Sequence, residues 1–467
     1  MNIKITKPIR SGTIKAIASK SEAHRLLICA ALAGSESFIS CASMSEDIEA
    51  TIRCITALGA ETQKTADGYY ITPINKAALK EATLKSKTYS LDCGESGATL
   101  RFMLPVCGAL GINAEFHMSG RLPARPLSAL YDQMVEHGYM LTKHMLAEQG
   151  TSEQGTSEQG VSTLSCSGQL QSGLFTLAGN ISSQYISGLL LALPLLENES
   201  QIKVTGTLES RPYVEMTLET MKKFGTQVYE DEPGVFRIPG SQNTHPSKKL
   251  QVGGDWSNAA FWLSAGAIGQ NFGGNGITCT GLDLNSKQGD KAICGYLESF
   301  GAGIVYEANS PSGGSSPNCE GSVTVTPGKL QGIEVNAMDT PDLVPVLAAV
   351  ASVAQGQTVI RNAQRLRMKE SDRLKTVTQM LTNLGADIKE TQDGLIINGK
   401  QAQSGGTATL TGGLVDAHGD HRIAMTAAIL STVCASSVII KGANAVRKSY
   451  PGFFEDFRSL GGDWINC

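Results

Sequence analysis

Apolar residues at helical spacing run into a glycine six times along the chain, and each glycine is followed by a short run of strand-like residues. The six positions are Gly59, Gly138, Gly225, Gly301, Gly385 and Gly461. Glycine is favoured there because it enters the left-handed conformation at a helix end without a steric penalty. The glycines recur about 75 to 90 residues apart, which is longer than a solenoid period. The pattern therefore predicts an α/β protein built from six small units.

Turn residues precede several of the predicted strands. Asp-Gly, Pro-Gly or Gly stands just before residues 69–72, 235–238, 323–325 and 395–397. Such turns between short alternating runs predict β-hairpins.

Two kinds of segment interrupt the six units. Residues 239–249 are polar and rich in turn formers, which predicts a domain junction that divides the units three and three. Two domains also agree with a length of 467 residues, too long for one ordinary core. Residues 148–160 repeat Glu-Gln-Gly-Thr-Ser, and residues 309–318 are similarly polar, so both predict surface loops without chemistry.

Composition excludes several classes of protein. Lys and Arg total 39 against 43 Asp and Glu, a net charge of −4, which argues against a nucleic-acid partner. The 11 cysteines form no CxxC pair, so reduced thiols in a cytoplasmic protein are expected. The first ten residues alternate like a strand and lack the pattern of a signal peptide. The longest apolar runs are too short to cross a bilayer, so no membrane partner is expected.

Charged residues concentrate in three short motifs beside apolar segments. Residues 365–374 read Arg-Leu-Arg-Met-Lys-Glu-Ser-Asp-Arg-Leu before an apparent helix at 375–384, residues 420–422 read Asp-His-Arg, and residues 448–451 read Lys-Ser-Tyr-Pro. Charge runs are most often solvated helix faces. Three runs flanked by apolar residues favour a ligand instead, because burying a charge without a partner is costly. A small anionic ligand is expected.

Polar groups also stand near the predicted starts of apolar helices or, in the case of Arg125, in an extended segment before a proline. These are Lys20, Ser21 and Arg25 before residues 26–32, the turn Gly94 to Arg101 that includes Gly97, Arg125 before Pro126, Ser182, Ser183 and Gln184, Ser210 and Tyr213, and Asp342. Helix N-termini attract anions, although each group is also consistent with ordinary capping. Asp255 reads as a cap only, whereas Asp342 is either a cap or an acid/base group.

Taken in order, these motifs resemble the 5-enolpyruvylshikimate-3-phosphate synthase family of enolpyruvyl transferases over essentially the full length. Each motif alone is weak, and their order is specific. The resemblance implies a two-domain enolpyruvyl transferase fold, with three βαβαββ units per domain and an active site in the interdomain cleft. Because the first strand of that fold belongs with the C-terminal half, the predicted domains are residues 19–240, on the shikimate 3-phosphate side, and residues 1–18 with 241–467.

The resemblance also implies a reaction: enolpyruvyl transfer from phosphoenolpyruvate to the 5-hydroxyl of shikimate 3-phosphate, with release of phosphate. The residues it implies for shikimate 3-phosphate are Lys20, Ser21, Arg25, Ser182, Ser183, Ser210, Tyr213, Asp342 and Lys369. Those implied for phosphoenolpyruvate are Arg125, Gln184, Arg373, Arg422 and Lys448, with Gly97 lining the site. No cofactor or metal is implied, and a monomer is the family expectation.

The charge pattern suits this chemistry. Both substrates are anions that repel each other, and arginine binds carboxylate and phosphate bidentately. A proton must reach the methylene carbon of phosphoenolpyruvate while the hydroxyl of shikimate 3-phosphate attacks the adjacent carbon. General acids and bases are therefore required. Our hypothesis is that Asp342 accepts the hydroxyl proton and that Glu370, assisted by Lys20, protonates the carbon.

Two departures and two alternatives accompany this interpretation. Glu95 replaces the common Asn and Ala98 the common Thr, and an added carboxylate weakens anion binding unless an arginine neutralises it. Substrate affinity and the response to glyphosate, the family's inhibitor, are therefore left open. One alternative is UDP-N-acetylglucosamine enolpyruvyl transferase, although the cysteine of that enzyme's loop is missing from residues 119–125. The other is a non-catalytic anion-binding relative.

Overall fold

A computed structural model describes residues 1–41, 43–144, 162–269, 275–308, 320–400 and 410–467. The predicted loops at 148–160 and 309–318 lie outside these residues. The chain forms two compact units, which are called the N-terminal unit (Lys20–Val252) and the C-terminal unit (Met1–Ser19 with Gly253–Cys467).

Helices and strands alternate through both units. The helices are α1 (Lys20–Leu32), α2 (Glu46–Ala57), α3 (Lys76–Leu84), α4 (Gly97–Leu110), α5 (Ser128–Glu136), α6 (Ser183–Ala192), α7 (Arg211–Lys223), α8 (Trp256–Ile268), α9 (Ile293–Phe300), α10 (Val344–Ala351), α11 (Arg373–Asn383), α12 (His421–Leu430) and α13 (Phe453–Ser459). The strands are β1 (Ile3–Lys7), β2 (Gly12–Lys15), β3 (Ser37–Ser40), β4 (Glu61–Lys64), β5 (Gly68–Thr72), β6 (Thr88–Gly94), β7 (Asn113–Met118), β8 (Tyr139–His144), β9 (Ser162–Gly168), β10 (Leu174–Ala178), β11 (Ser200–Thr205), β12 (Tyr229–Glu232), β13 (Val235–Ile238), β14 (Lys249–Gln251), β15 (Ile277–Asp283), β16 (Gly303–Ala308), β17 (Glu320–Thr326), β18 (Glu334–Asn336), β19 (Gly356–Arg361), β20 (Asp387–Glu390), β21 (Leu395–Gly399), β22 (Gly413–Asp416), β23 (Val438–Lys441) and β24 (Asp463–Asn466).

The strands form four-stranded sheets of one topology. In the N-terminal unit the orders are β14-β3-β5-β4, β6-β7-β9-β8 and β10-β11-β13-β12, and in the C-terminal unit they are β2-β15-β17-β16, β18-β19-β21-β20 and β22-β23-β1-β24. In each sheet the first pair of strands is parallel and the other two pairs are antiparallel. In four of these sheets a helix crosses between consecutive parallel strands, as in β6-α4-β7-α5-β8-β9. In the other two sheets the parallel partners, β14 with β3 and β2 with β15, are distant in the chain. The predicted βαβαββ units, three in each half, are confirmed.

The local predictions about turns are also confirmed. All six glycines have positive φ, between 77° at Gly225 and 107° at Gly301, and each follows a helix of its unit. The four predicted hairpin strands pair antiparallel with the strand before them, as β5 does with β4.

The junction between the units lies later than the turn-rich segment suggests. Residues 241–252, which the sequence analysis places with the C-terminal half, belong to the N-terminal unit. The amide of Ser241 donates to the Leu196 carbonyl at 2.6 Å and that of His245 to the Phe224 carbonyl at 3.1 Å. Strand β14 then pairs in parallel with β3. Polar composition therefore does not mark the boundary here, because the segment is hydrogen-bonded to the unit it follows.

Buried helices determine where the site residues lie. Helices α8, α10 and α12 pack on one another inside the C-terminal unit and every residue of each is buried, as expected of helices that are apolar all round. Helices α1, α4 and α6 are buried in the N-terminal unit. Among the described residues, no helix combines the length and apolarity needed to span a bilayer. The ten described cysteines are all free thiols.

Candidate active site

Arg373 lies at the centre of a charge cluster in the C-terminal unit. Its side chain is only 1 % exposed, yet it meets three carboxylates. Nε donates to Asp420 Oδ2 at 2.8 Å, Nη1 to Asp342 Oδ1 at 2.8 Å, and Nη2 to Glu370 Oε2 at 2.6 Å. Burial lowers the pKa of Arg373, and the three carboxylates outweigh that effect and raise it above its usual value. The guanidinium therefore stays charged and held in one orientation.

The start of helix α11 orients Arg373. The helix begins at Arg373 rather than at the predicted Lys375, because Asp372 is its N-cap and accepts from the Lys375 amide at 3.2 Å. Arg373 thus stands in the first helical turn, where its side chain is buried.

Asp342 is surrounded by cations. Besides Arg373, it contacts Arg422 (Oδ2 to Nη2, 3.2 Å) and Lys369 (Oδ1 to Nζ, 3.5 Å). Burial raises the pKa of this carboxyl, but Arg422, Lys369 and Arg373 together bring it well below its usual range. Asp342 caps no helix, since it lies within a 3-10 helix (Pro341–Leu343) that has no side-chain cap. Of the two alternatives, this geometry excludes a helix cap, and the role of Asp342 as an acid or base stays a prediction.

The N-terminus of α12 gathers the other cations of this cluster. Arg422 donates from Nη1 to the Asp342 carbonyl at 3.1 Å and from Nη2 to Ser257 Oγ at 2.7 Å. Lys448 Nζ donates to the carbonyl of Gly419, in the turn before the helix, at 2.8 Å. Asp420 is the N-cap and is fully buried. Cations beside a helix N-terminus make an environment that attracts anions.

Asp290 is a buried carboxylate that the sequence analysis missed. It lies in a short 3-10 helix (Gly289–Ala292) and is 0 % exposed. Burial, with a smaller contribution from Asp342, raises its pKa to about 6, against the opposing effect of Arg422. Nothing in its Gly-Asp context distinguishes it from a turn residue, so no sequence signal would have identified it.

Arg25 joins helices α1 and α7 in the N-terminal unit. Helix α1 begins at Lys20 rather than at the predicted Leu26, which puts Arg25 inside it. Nε donates to Thr217 Oγ1 at 2.7 Å and Nη2 to the Tyr213 carbonyl at 2.9 Å. Burial lowers the pKa of Arg25 to about 10. The predicted residues of α1 and α7 are therefore brought together.

Two guanidinium groups meet beside Gly97 at the start of α4. Arg101 Nη1 donates to Gln184 Oε1 at 2.8 Å, which links α4 to the start of α6. A Cβ at Gly97 would lie 2.8 Å from Nη1 of Arg101 and 2.8 Å from Nη1 of Arg125. A side chain at this position would therefore push the ends of both arginines aside.

The other predicted residues of this unit stand at helix starts. Lys20 Nζ binds Asp47 Oδ2 at 2.7 Å. Ser182 is the N-cap of α6, with Ser183 buried behind it, and Ser210 is the N-cap of α7 with φ of 54°. Asp47 was missed, because an acidic residue in the first turn of a helix is ordinary dipole compensation.

Glu95 stands at the glycine turn where the sequence departs from the common pattern. Its carboxylate covers Gly120, which has φ of 56°, so closely that a Cβ there would overlap it. Gly120 opens the loop that carries Arg125. The added carboxylate therefore lies against the neighbouring loop.

The predicted residues of the C-terminal unit thus share one cluster, whereas those of the N-terminal unit lie in several groups near the starts of α1, α4, α6 and α7. Residues 3–457 match the family model described as EPSP synthase (3-phosphoshikimate 1-carboxyvinyltransferase). The chain belongs to the EPSP synthase family. A 3-phosphoshikimate 1-carboxyvinyltransferase of Clostridium perfringens is 42% identical over 458 residues, 98% of both chains. One of Clostridioides difficile is 39% identical over 468 residues, 99% of this chain and 98% of its own.

Solved structures share the fold of this EPSP synthase family member. An EPSP synthase from Acinetobacter baumannii superposes with a TM-score of 0.77 at 23% identity, covering 100% of both chains. The enolpyruvyl transferase NikO from Streptomyces tendae gives 0.72 at 16% identity, covering 99% of this chain and 98% of its own. The predicted enolpyruvyl transferase fold is confirmed.

Proposed function

We propose that this protein transfers the enolpyruvyl group of phosphoenolpyruvate to the 5-hydroxyl of shikimate 3-phosphate and releases phosphate. The family match over residues 3–457 carries the proposal. The curated relatives bear the name of this activity, which does not favour the UDP-N-acetylglucosamine alternative. A cytoplasmic location and a monomeric state stay predictions.

The cationic clusters support binding of two anions. We assign phosphoenolpyruvate to Arg125, Gln184, Arg373, Arg422 and Lys448, with Gly97 beside it. We assign shikimate 3-phosphate to Lys20, Ser21, Arg25, Ser182, Ser183, Ser210, Tyr213, Asp342 and Lys369. Guanidinium groups match carboxylate and phosphate, and they offset the repulsion between the substrates.

Preorganisation explains why these arginines are surrounded by acids. Arg373 is held by three carboxylates before any substrate arrives. Its orientation is therefore set in advance, which reduces the entropy lost on binding. The carboxylates also compensate the charge of a buried guanidinium that would otherwise be unstable.

Asp342 needs its cations to be neutralised before it can act as a base. Arg422, Lys369 and Arg373 hold its pKa low, and a weakly basic carboxylate accepts a proton poorly. Anionic substrates on Arg373, Arg422 and Lys369 would compensate these charges and raise the pKa of Asp342. Asp342 then accepts the hydroxyl proton only when the substrates are bound.

Glu370 is the candidate acid for the methylene carbon. It is bound to Arg373 Nη2 at 2.6 Å, and its side chain is 20% exposed, so it stands at the edge of the buried cluster. Lys20 assists it in our assignment, and its ammonium is engaged with Asp47. In the elimination step the same carbon loses a proton as phosphate leaves.

Phosphate release tests the proposed function. Purified protein should release phosphate only when phosphoenolpyruvate and shikimate 3-phosphate are both present. The isosteric variant Asp342→Asn, purified in parallel, shows whether a contaminating phosphatase contributes. Release with UDP-N-acetylglucosamine in place of shikimate 3-phosphate would favour the sister enzyme, and binding of both substrates without release would favour a non-catalytic relative.

A further inference from the structure

Four buried polar side chains form a continuous hydrogen-bond chain across three helices of the N-terminal unit. His24 Nδ1 lies 2.7 Å from Thr51 Oγ1, which lies 2.8 Å from Thr99 Oγ1, which lies 2.8 Å from Ser96 Oγ. His24 belongs to α1, Thr51 to α2, and Thr99 to α4. The four residues are at most 1% exposed.

The direction of this chain depends on where each hydroxyl and ring proton goes. Thr99 Oγ1 also lies 3.4 Å from the carbonyl of Asp47, which only accepts. The single proton of Thr99 can go to Thr51 or Ser96, each at 2.8 Å, or to that more distant carbonyl, so these distances do not fix the direction of the chain. The direction is set at His24, where Nδ1 either donates to Thr51 or accepts from it.

The surroundings of His24 agree with a neutral Nδ1–H tautomer. Burial, followed by the charges of Lys20 and Arg25, lowers its pKa well below the usual value. Nε2 is buried and makes no hydrogen bond with any residue that the structure describes. The ring instead meets Phe102 edge-on, with centroids 6.4 Å apart. A proton on Nε2 would be buried without an acceptor, which is costly.

Ser96, at one end of the chain, and the Asp47 carbonyl beside Thr99 both lie next to candidate substrate groups. Ser96 is the N-cap of α4 and accepts from the Thr99 amide at 3.3 Å, directly before Gly97. The Asp47 carbonyl belongs to the residue whose carboxylate binds Lys20. The chain thus ties the glycine turn to α2 and to the helix that carries Lys20.

We infer that His24 is a positioning residue for the transfer reaction: through Thr51 and Thr99 it holds the Ser96-Gly97 turn, and with it the arginines beside Gly97, in the geometry that receives phosphoenolpyruvate. This inference rests on the proposed function. His24 contacts neither substrate in this assignment and takes no part in proton transfer.

Three variants test the chain by steady-state kinetics. Thr99→Val removes the central hydroxyl and keeps the shape, and His24→Leu removes the donor. Each should raise the KM for phosphoenolpyruvate about tenfold, the effect of losing one or two buried hydrogen bonds, with a smaller change in the KM for shikimate 3-phosphate. His24→Asn places an amide donor near the position of Nδ1 and should restore the KM to within about threefold of the native value.

A matched control separates positioning from general loss of stability. Thr220 is another buried threonine of the N-terminal unit, and among the residues that the structure describes its hydroxyl bonds only to the Met216 carbonyl of its own helix, at 2.9 Å. Thr220→Val should lower the melting temperature about as much as Thr99→Val and leave both KM values unchanged. Nitrogen-15 NMR of the native protein should show His24 protonated at Nδ1 and neutral at about pH 6.5, where an ordinary histidine is half protonated.

The outcomes are distinct. If the native protein shows no transfer activity, the proposed function fails before the variants are compared. If it is active, the positioning role is overturned by an unchanged KM for phosphoenolpyruvate in Thr99→Val, by no difference between His24→Asn and His24→Leu, or by an Nε2–H signal.

Discussion

Asp420→Asn removes one of the three carboxylates that hold Arg373. Asp420 accepts Arg373 Nε at 2.8 Å and the Ser371 hydroxyl at 2.9 Å on Oδ2, and it accepts the Arg422 amide at 3.0 Å on Oδ1. An Asn that keeps its oxygen on the Arg422 amide still caps α12. Its NH₂ group then faces Arg373 Nε, so two donors oppose each other and the guanidinium loses an acceptor.

The loss of stability in Asp420→Asn is large because the ion pair is buried. Breaking a buried ion pair costs about 3 to 5 kcal/mol. Because Asp342 and Glu370 still compensate the charge and the cap survives, we expect the lower end, about 3 kcal/mol. With a urea dependence of about 1 to 3 kcal/mol per molar, the midpoint should fall by about 1 M or more.

Tryptophan fluorescence is a selective assay for this change. The chain has 3 tryptophans, and all of them, Trp256, Trp262 and Trp464, belong to the C-terminal unit. Urea unfolding followed by their emission therefore reports on the unit that contains Arg373. The same protein should show a raised KM for phosphoenolpyruvate, because Arg373 is no longer held in one orientation.

Glu334→Gln is the matched control. Glu334 pairs with Arg361 at 3.8 Å on the surface of the same unit, and their side chains are 80% and 63% exposed. Exposed pairs of this kind contribute about 0 to 1 kcal/mol. If the urea midpoints of Asp420→Asn and Glu334→Gln agreed within error, the carboxylate cage around Arg373 would not be a source of stability and the reasoning would be refuted.

Three further predictions concern catalysis, binding and pH. Asp342→Ala should lower kcat by about 10² to 10⁴, the usual contribution of a general base, and near-native turnover in the phosphate assay would contradict that role. Gly97→Ala should displace Arg101 and Arg125 and raise the KM for phosphoenolpyruvate about tenfold. The melting temperature should change little, because the displaced atoms are the ends of flexible side chains. An unchanged KM would argue against the crowding seen at Gly97. Asp290 has a folded-state pKa of about 6, above its usual value of 3.8, so its favourable contribution to stability is present at low pH and is lost as pH rises through this window. In urea titrations, the free energy of unfolding of Asp290→Asn should therefore rise relative to that of the native protein between about pH 4 and 6 and keep a constant advantage above that range. A difference between the two proteins that does not vary with pH would contradict the raised pKa of Asp290.

Local sequence patterns determined the repeating architecture. Gly225 and Gly301 could be assigned to helix ends because the left-handed conformation is a property of single residues. Hairpins such as β4-β5 and β20-β21 follow from alternation and a nearby turn. The charged motifs that bear Arg373 and Arg422 were recognised for the same reason, since each is contiguous in the chain.

Tertiary structure alone decided the long-range contacts of those charges. Lys20 and Asp47 are 27 residues apart, Arg373 and Asp420 are 47 apart, and Arg25 reaches Thr217 across 192 residues. No local pattern encodes such pairs, because an ion pair depends on distance in space and on burial, which strengthens the interaction as it excludes water. The low pKa of Asp342 arises in the same way: the sequence determined that cations and carboxylates were present, and folding determined which of them share a buried site.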